Sequence, residues 1–275
     1  MNIHKAILYG EDLLRKNGVE PARWNAERLL ILALRQERIK IYSDLIRELT
    51  VGEMQAYEGL LKKRAEHYPL AYLEGTQEFF GRQFYVNESV LIPRPETEEI
   101  IHAVLELSLP PSSRILDVGA GSGNVCVTLA LEVPNSFVVA LELHEPALEI
   151  LRKNAQGHIE IVRGDFVHSP FHAESFDVIA SNPPYVEADS FHDLPAETRW
   201  EPQRALAAES LEQMYISLLA QAARLLKPRG NLVFEIGYGQ SQRIQAVSDA
   251  ERQFKLIQIR RDHQAIPRVF VLQKL

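Results

Sequence analysis

The stretch Asn182-Pro183-Pro184-Tyr185 holds the residue types best suited to chemistry in this sequence. It follows an apolar run at residues 176–181 that predicts a buried strand. A turn needs only one proline and a small polar residue, whereas here an amide, a rigid dipeptide and an aromatic ring stand together. We therefore expect a binding and catalytic turn, and the alternative is a rigid surface turn.

Such a turn suits a planar NH₂ group, whose nitrogen is a poor nucleophile because its lone pair is delocalised. The Asn182 side-chain oxygen and the Pro183 carbonyl could accept its two hydrogens and orient the nitrogen. The prolines would fix the direction of that carbonyl, and the Tyr185 ring could pack on the flat acceptor group. We predict that Asn182, Pro183 and Tyr185 are catalytic, that Pro184 completes the substrate site, and that no general base is required.

A second candidate site is a glycine-rich loop, "LDVGAGSGNV", between an apolar strand and a helix. Its glycines, Gly119, Gly121 and Gly123, allow positive φ angles and close approach of a ligand, and the helix start offers N–H groups. The spacing G-x-G-x-G departs from the G-x-G-x-x-G of nicotinamide dinucleotide sites. The loop favours a nucleoside-bearing methyl donor, with a dinucleotide site and a purely structural turn as alternatives.

Acidic residues follow the next two predicted strands. Glu142 ends "VVALE" and could accept hydrogen bonds from both hydroxyls of a ribose. Asp165 could accept one from an adenine amine, and Phe166 could stack on the ring; the alternative is an aspartate in a turn and a phenylalanine in the core. Because the carboxyl ends of parallel strands share one edge, we expect these residues beside the glycine loop.

The elements that would position these residues alternate between strand and helix from residue 113 onward. Strands are predicted at 114–118, 137–142, 159–162, 176–181 and 231–236, and helices at about 123–132, 145–155 and 209–226. This alternation is typical of a parallel sheet covered on both faces. The tail "FKLIQIRRDHQAIPRVFVLQKL" predicts an antiparallel hairpin at the edge of that sheet.

The N-terminal part of the chain has a different pattern. Residues 1–68 show helical spacing, with Pro21 in the first turn of one helix and Thr50 as a possible N-cap of another. "TQEFFGRQFYVNESVLIP" alternates around Gly81 and predicts a β-hairpin. We therefore expect three parts: a helical bundle at 1–70 for substrate recognition, a linker with the hairpin at 71–93, and a catalytic domain at 94–275.

Composition limits the possible partners. The chain has 275 residues and a net charge of −7, which gives no general case for a nucleic-acid substrate. A single cysteine, Cys126, and scattered histidines indicate no metal site. The charged N-terminus is unlike a secretory signal, and no apolar run is long enough for a membrane span. We expect a cytoplasmic protein with no membrane partner.

The short basic run Lys62-Lys63-Arg64 has two interpretations. It could be a solvated helix face, or it could contact an acidic or RNA-like partner.

Several of these stretches resemble a known family. "LDVGAGSGNV" with "SNPPY" is similar to class I methyltransferases that use S-adenosylmethionine and act on an amide or amine nitrogen. "EFFGRQFYVNESVLIPRPETEE", the helical module and "RWEPQRAL" resemble the HemK-type peptide chain release factor glutamine methyltransferases, over essentially the whole chain. Because Asn-Pro-Pro-Tyr is shared with adenine-N6 methyltransferases, action on DNA or RNA stays as the alternative.

The resemblance implies a Rossmann-like fold with a mostly parallel seven-stranded sheet, a C-terminal antiparallel hairpin and a small N-terminal helical domain. The implied cofactor is S-adenosylmethionine, the partner is a peptide chain release factor, and the product is N5-methylglutamine in its Gly-Gly-Gln loop. The residues implied at the cofactor are Gly119, Ala120, Gly121, Ser122, Gly123, Glu142, Asp165, Phe166 and Asn182, with Arg94, Pro95, Glu96 and Thr97 on the hairpin side.

Two positions depart from the family pattern. Glu142 stands where the family usually has an aspartate, which could shift a bound ribose. The stretch "ALAAESLEQMYISLL" lacks the glycine-rich turn expected after "EP..AL". A protein that keeps the cofactor site without catalysis would be expected to show a damaged Asn182 turn, and this turn is intact.

Overall fold

The computed structural model describes residues 1–275, which divide into two compact units. The helical unit comprises Met1–Gly75 together with Pro195–Trp200, and the sheet unit comprises Thr76–Leu194 and Glu201–Leu275. These bounds differ from the expected ones, because residue 70 begins a short helix and the hairpin belongs to the sheet unit. Residues 195–200 carried no signal of periodicity that would assign them to the helical unit.

The helical unit contains five helices: α1 (Ile3–Lys16), α2 (Ala22–Leu34), α3 (Arg38–Ser43), α4 (Val51–Ala65) and α5 (Leu70–Glu74). The predicted cap of α4 is confirmed. The Thr50 side chain accepts from the Glu53 N–H, and the Glu53 side chain accepts from the Thr50 N–H, which together make a capping box. A short 3₁₀ turn, Thr198–Trp200, completes the unit.

Close packing in the helical unit depends on one glycine. Tyr57 is fully buried, and its hydroxyl donates a 3.1 Å hydrogen bond to the Ala26 carbonyl. A Cβ at Gly10 would lie 2.0 Å from that hydroxyl oxygen. Glycine at this position therefore allows α1 to pack directly over the Tyr57 ring.

The basic run at 62–64 divides between the surface and the interior. Lys62 and Lys63 are exposed, but Arg64 is buried. Its Nε donates to Asn25 Oδ1 at 2.8 Å, and an NH₂ group donates to Glu197 Oε2 at 2.7 Å. The interpretation as a solvated face is therefore wrong for Arg64, because a guanidinium with several internal acceptors can be buried.

The sheet unit is built on a seven-stranded sheet. Its strands are β3 (Arg114–Val118), β4 (Phe137–Glu142), β5 (Glu160–Arg163), β6 (Phe176–Ser181), β9 (Leu226–Glu235), β10 (Phe254–Arg261) and β11 (Pro267–Lys274). Their order across the sheet is β10–β11–β9–β6–β3–β4–β5. Only β11 runs antiparallel to its two neighbours. The predicted mostly parallel sheet with a C-terminal antiparallel hairpin is confirmed.

Helices cover both faces of this sheet: α6 (Glu98–Leu105), α7 (Asn124–Glu132) and α8 (Glu145–Ala155) on one face, and α10 (Leu211–Leu225) and α11 (Ser241–Glu251) on the other. The short helix α9 (Gln203–Leu206) precedes α10. Alternate residues of β6 enter different cores, since Val178 and Ala180 pack on one face and Ile179 on the other. A strand buried on both faces reads as a continuous apolar run, which is why the sequence signal was strong.

Smaller elements complete the sheet unit. The predicted hairpin consists of β1 (Thr76–Phe79) and β2 (Arg82–Tyr85), and a 3₁₀ turn, Pro95–Thr97, precedes α6. After β6, the two-residue strands β7 (Val186–Glu187) and β8 (Ala207–Ala208) pair with each other. No helix of the protein combines the length and the apolar character that crossing a bilayer demands.

Candidate active site

A cavity of about 630 Å³ lies at the carboxyl ends of the central parallel strands. This is the edge at which open α/β sheets bind ligands. The sequence-predicted residues that line it are Arg94, Thr97, Gly119, Ala120, Gly121, Ser122, Glu142, Asp165, Phe166, Asn182, Pro183 and Pro184. Four others that were predicted at the site, Pro95, Glu96, Gly123 and Tyr185, lie outside its lining.

The glycine loop bonds to the end of the neighbouring strand. Gly119 and Gly121 have φ angles of 71° and 53°, which few other residues adopt without strain. The N–H groups of Gly119 and Ala120 donate to the Leu141 carbonyl at 2.9 and 3.2 Å, and the Gly121 N–H donates to Glu142 Oε2 at 2.9 Å. The loop thus holds its shape with its own backbone.

Two N–H groups around the start of α7 also have acceptors within the protein. The buried Asp117 carboxylate accepts from the Cys126 N–H at 3.0 Å, and the Gly123 N–H donates to the Ala120 carbonyl at 2.7 Å. Burial raises the pKa of Asp117 to about 7, and the nearby charge of Glu142 adds to the effect. N–H groups that are bonded in this way cannot also bind a phosphate, which weighs against the dinucleotide alternative.

Gly123 allows two helices to pack closely and does not line the cavity. Its φ is 83°, and a Cβ there would lie 2.5 Å from Leu151 Cδ1. The glycine therefore lets α8 approach the start of α7, which explains why it lies outside the cavity although it shares the motif.

Glu142 joins the loop to the end of β4. Its Oε1 accepts from the N–H groups of Leu143 and His144 at 2.8 and 2.9 Å, and its Oε2 accepts from Gly121. The residue is only 6% exposed. Because each carboxylate oxygen has two acceptor positions, Oε2 retains one for a ligand hydroxyl. Binding both hydroxyls of a ribose would require Oε1 to release a backbone N–H.

Asp165 and Phe166 line the cavity and also have local roles. Asp165 accepts from the Val167 N–H at 2.9 Å, and its other oxygen lies 2.9 Å from Nδ1 of His168. The hydrogen bond to His168 lowers the pKa of the Asp165 carboxyl. Phe166 packs against the core on one face of the sheet. The turn role and the proposed ligand contact are therefore compatible at this strand end.

Asn182 has one satisfied and one unsatisfied end. Its Nδ2 donates to Thr97 Oγ1 at 3.1 Å, and the Thr97 hydroxyl donates to Glu235 Oε2 at 2.6 Å. Its Oδ1 is shielded from solvent and has no hydrogen-bond partner in the protein. A buried acceptor without a partner costs about 1–3 kcal/mol, so a donor that enters the cavity and reaches this oxygen would recover that free energy.

Tyr185 anchors the other end of the turn. Its hydroxyl hydrogen-bonds to Glu235, burial raises its pKa, and its backbone carbonyl accepts from Gln240 Nε2 at 2.7 Å. The turn is thus held at both ends by the sheet unit. Packing of the Tyr185 ring on an acceptor group stays a prediction.

The two stretches that mark the family resemblance bind each other. Glu201, from "RWEPQRAL", is buried, accepts from the Ile92 N–H at 3.0 Å and forms an ion pair with Arg94. This contact fixes the segment that brings Arg94 and Thr97 to the cavity. A buried carboxylate with both a charged and a backbone donor is well satisfied.

Two residues that support the site were missed by the sequence interpretation. Asn154, on α8, bonds to both backbone groups of Tyr85 at 2.8 and 2.9 Å and to the Ser122 carbonyl at 2.8 Å. It thereby ties the hairpin to the glycine loop, and nothing in its sequence context signals this. Glu235 had a usable signal, because it is an acid at the end of an apolar strand, as Glu142 is.

The residues at the cavity fit S-adenosylmethionine. The volume is in the range typical of small-molecule sites. Glu142 offers an acceptor for a hydroxyl, Phe166 offers an aromatic ring, and the loop at Gly119 and Gly121 exposes backbone rather than side chains. The N–H groups of Gly119, Ala120 and Gly121 already have acceptors in the protein, which suits a cofactor that carries no phosphate.

Comparisons with known proteins agree with this geometry. A family model described as "Methyltransferase domain" matches residues 115–198, and one described as "PrmC N-terminal domain" matches residues 5–75.

Curated relatives are similar over most of the chain. The release factor glutamine methyltransferase of Geobacter sulfurreducens is 36% identical over 247 residues, which is 88% of this chain and 86% of the relative. The protein of that name from Neisseria gonorrhoeae is 41% identical over 220 residues, or 78% and 80% of the two chains. The one from Koribacter versatilis is 38% identical over 261 residues, or 92% and 91%.

Solved structures show the fold. A methyltransferase from Pyrococcus furiosus superposes with a TM-score of 0.52 and 18% identity, covering 71% of this chain and 90% of its own. A ribosomal protein L11 methylase from Lactobacillus delbrueckii gives a TM-score of 0.51 and 16% identity, covering 72% and 89%. The sheet unit therefore has the Rossmann-like class I methyltransferase fold.

Proposed function

The chain belongs to the release factor glutamine methyltransferase family, and from this we propose its substrate and product. It transfers the methyl group of S-adenosylmethionine to the side-chain amide nitrogen of a glutamine. That glutamine lies in the Gly-Gly-Gln loop of a peptide chain release factor, and the product is N5-methylglutamine.

The observation that carries this proposal is the unsatisfied Oδ1 of Asn182, a residue that lines the cavity. A primary amide has two N–H donors on one nitrogen, and Oδ1 can accept one of them. The Pro183 carbonyl would accept the other, since the ring of Pro183 fixes its φ and the following Pro184 restricts its ψ. Two acceptors fix both the position of the nitrogen and the plane of the amide.

The cofactor would be held by the loop at Gly119–Gly121 and by the strand ends at Glu142, Asp165 and Phe166. When bound, S-adenosylmethionine would supply a methyl group on a positively charged sulfur, which leaves as a neutral thioether, and the methylated amide nitrogen would release one proton to solvent. The chain itself orients the acceptor. Such orientation can lower a barrier by about 7–11 kcal/mol, so positioning alone is a substantial contribution.

We also propose that the helical unit recognises the release factor. All residues that line the cavity belong to the sheet unit, which leaves the helical unit free for another task. Its surface carries exposed apolar side chains, with Ile39 at 80% and Ile46 at 81% exposure. Replacing both by serine should raise the KM for an intact release factor and leave the KM for a short Gly-Gly-Gln peptide unchanged; an equal effect on both substrates would contradict this role.

The test of the proposed function is methyl transfer from labelled S-adenosylmethionine. A bacterial release factor, the same factor with its Gly-Gly-Gln glutamine replaced by glutamate, and duplex DNA are offered in separate reactions. Peptide mass spectrometry then locates the label. Label on that glutamine alone supports the proposal, whereas label in DNA alone would favour the adenine-N6 alternative and overturn it.

A further inference from the structure

Three elements of the sheet unit meet behind the Asn182 amide. Asn182 follows β6, Thr97 ends the 3₁₀ turn Pro95–Thr97, and Glu235 is the last residue of β9. The strands β6 and β9 are parallel neighbours, with Ser181 opposite Phe234, so Asn182 and Glu235 follow at adjacent positions. Asn182 Nδ2, Thr97 Oγ1 and Glu235 Oε2 form a continuous hydrogen-bonded chain with steps of 3.1 and 2.6 Å.

The available protons determine which group donates and which accepts in each of these two hydrogen bonds. A carboxylate can only accept, so the single hydroxyl proton of Thr97 must be donated to Glu235. The Thr97 oxygen can then only accept from Asn182, and only the NH₂ end of the amide can donate. A reversed amide would set two acceptors against each other. The ionised carboxylate therefore determines which end of Asn182 is left unpartnered, and that end is Oδ1.

We infer that Thr97 and Glu235 are positioning residues that fix the orientation of the Asn182 amide, so that its oxygen is available to the acceptor NH₂ group. This inference rests on the proposed function and extends it to residues that do not touch the reacting atoms. Glu235 also accepts from the Tyr185 hydroxyl. It thus holds the turn at both ends, once through Thr97 and once directly.

The charge of Glu235 is set by its surroundings. It is 1% exposed, and burial raises its pKa to about 7 despite the hydrogen bonds from Thr97 and Tyr185. Of the charged groups that face it, Glu96 raises the pKa further and Arg268, on β11, lowers it. The hydroxyl of Tyr215, on α10, is also nearby and neutral, since burial raises its own pKa.

The sign of the pH dependence follows from the raised pKa. Above about pH 7 Glu235 is ionised and the amide is held in one orientation. Below that pH the protonated carboxyl can donate to Thr97, whose hydroxyl can then donate to Asn182, and the reversed amide becomes equally acceptable. The methyl-transfer rate at saturating cofactor is therefore expected to rise as the pH increases through about 7.

Variants at Thr97 test the hydroxyl. Thr97→Val keeps the shape but removes both hydrogen bonds, and we expect kcat to fall by roughly 10- to 100-fold because the amide loses its orientation. Thr97→Ser keeps the hydroxyl and should recover most of that loss. Thr128→Val is the matched control, since Thr128 is a fully buried threonine on α7 whose hydroxyl has no partner. It should leave kcat and its pH profile unchanged.

The variant Glu235→Gln tests the charge. A glutamine oxygen can still accept from Thr97, but the glutamine side chain does not titrate. The rise in kcat near pH 7 should therefore disappear. A rise that persists in this variant would overturn the inference, because another group would then be responsible. Wild-type kcat in Thr97→Val would overturn it as well.

A readout without turnover separates this inference from the proposed function. The side-chain ¹⁵N resonance of Asn182, followed by NMR in the free protein, should shift with a midpoint near pH 7 in wild type and show no titration in Glu235→Gln. If the wild type methylates no release factor, the proposed function fails; if the Asn182 resonance does not titrate, the inference fails independently.

Discussion

The two ends of the cavity are built on opposite principles. At the loop end, which comprises Gly119–Gly123 and Glu142, the backbone N–H groups of Gly119, Ala120 and Gly121 are already bonded inside the protein. At the acceptor end, which comprises Asn182–Tyr185, side chains from three elements hold the turn and one amide oxygen is left unsatisfied. The three N–H groups at the first end have partners without a ligand, whereas the amide oxygen at the second end has none.

This difference separates binding from chemistry. A self-satisfied loop offers shape and a few spare acceptor positions, so changes there should alter cofactor affinity or stability. An unsatisfied acceptor that is held in place beforehand has no cost of reorganisation when its partner arrives, so changes there should alter the rate of transfer. The comparison therefore predicts different kinetic signatures for substitutions at the two ends.

The largest effect is expected for Asn182→Ala. Removal of the unsatisfied oxygen should lower kcat by about 10²–10³-fold, as the loss of one preorganised hydrogen-bonding group does in other enzymes. The affinity for S-adenosylhomocysteine should fall much less than kcat does, since the loop and the strand ends still hold the cofactor. Steady-state kinetics with a release factor and calorimetry with S-adenosylhomocysteine measure the two quantities. Near-normal turnover would show that the acceptor end does not hold the substrate amide.

The next largest effect is expected for Gly123→Ala, and it concerns stability. The positive φ should cost about 1–2 kcal/mol, and the overlap with Leu151 about 1–3 kcal/mol more. Gly157→Ala is the control, since Gly157 has a φ of 85° but open space around its Cβ position, so it carries only the first cost. Urea denaturation measures both, and equal losses would contradict the packing role of Gly123.

A smaller effect is expected for Glu142→Ala at the loop end. The substitution removes the acceptor of three backbone N–H groups and of a ligand hydroxyl. The affinity for S-adenosylmethionine should fall by about tenfold or more, corresponding to one lost hydrogen bond to a charged group, with kcat at saturation nearly unchanged. A large fall in kcat with unchanged affinity would contradict the view that the loop end determines cofactor affinity and the acceptor end determines the rate of transfer.

Glu142→Asp is the graded form of the same test. The shorter side chain keeps the charge but cannot reach Gly121, Leu143 and His144 from the same backbone position. The fall in affinity should therefore lie between wild type and Glu142→Ala. An affinity below that of Glu142→Ala would mean that the carboxylate harms cofactor binding.

The fold could be predicted from the sequence wherever both faces of a strand are buried. The bounds of β3, β4 and β6 agree with the predicted ones, because short continuous apolar runs are typical of strands that are buried on both faces. β9 begins at Leu226, five residues before the expected start, since "KPRG" interrupts the apolar pattern without ending the strand. The segment 195–200 could not be assigned to the helical unit, because Glu197 reaches Arg64 across 133 positions of sequence.

The candidate site was predictable in type more than in detail. The glycine loop, the acids and the Asn-Pro-Pro-Tyr turn all follow strands that end at one edge, which the topology brings together. The partners of those residues depend on side-chain direction, which the sequence pattern does not contain. Two contacts could not be predicted for this reason. The Tyr185 hydroxyl bonds to Glu235 outside the cavity, and the Glu142 carboxylate accepts from three backbone N–H groups.

The most direct test of the central claim is a structure of the protein with S-adenosylhomocysteine and a Gly-Gly-Gln peptide. The claim predicts the glutamine side-chain nitrogen within about 2.7–3.2 Å of Asn182 Oδ1, with Asn182 Nδ2 still bonded to Thr97. A glutamine amide bound elsewhere in the cavity, with Oδ1 still unpartnered, would contradict it.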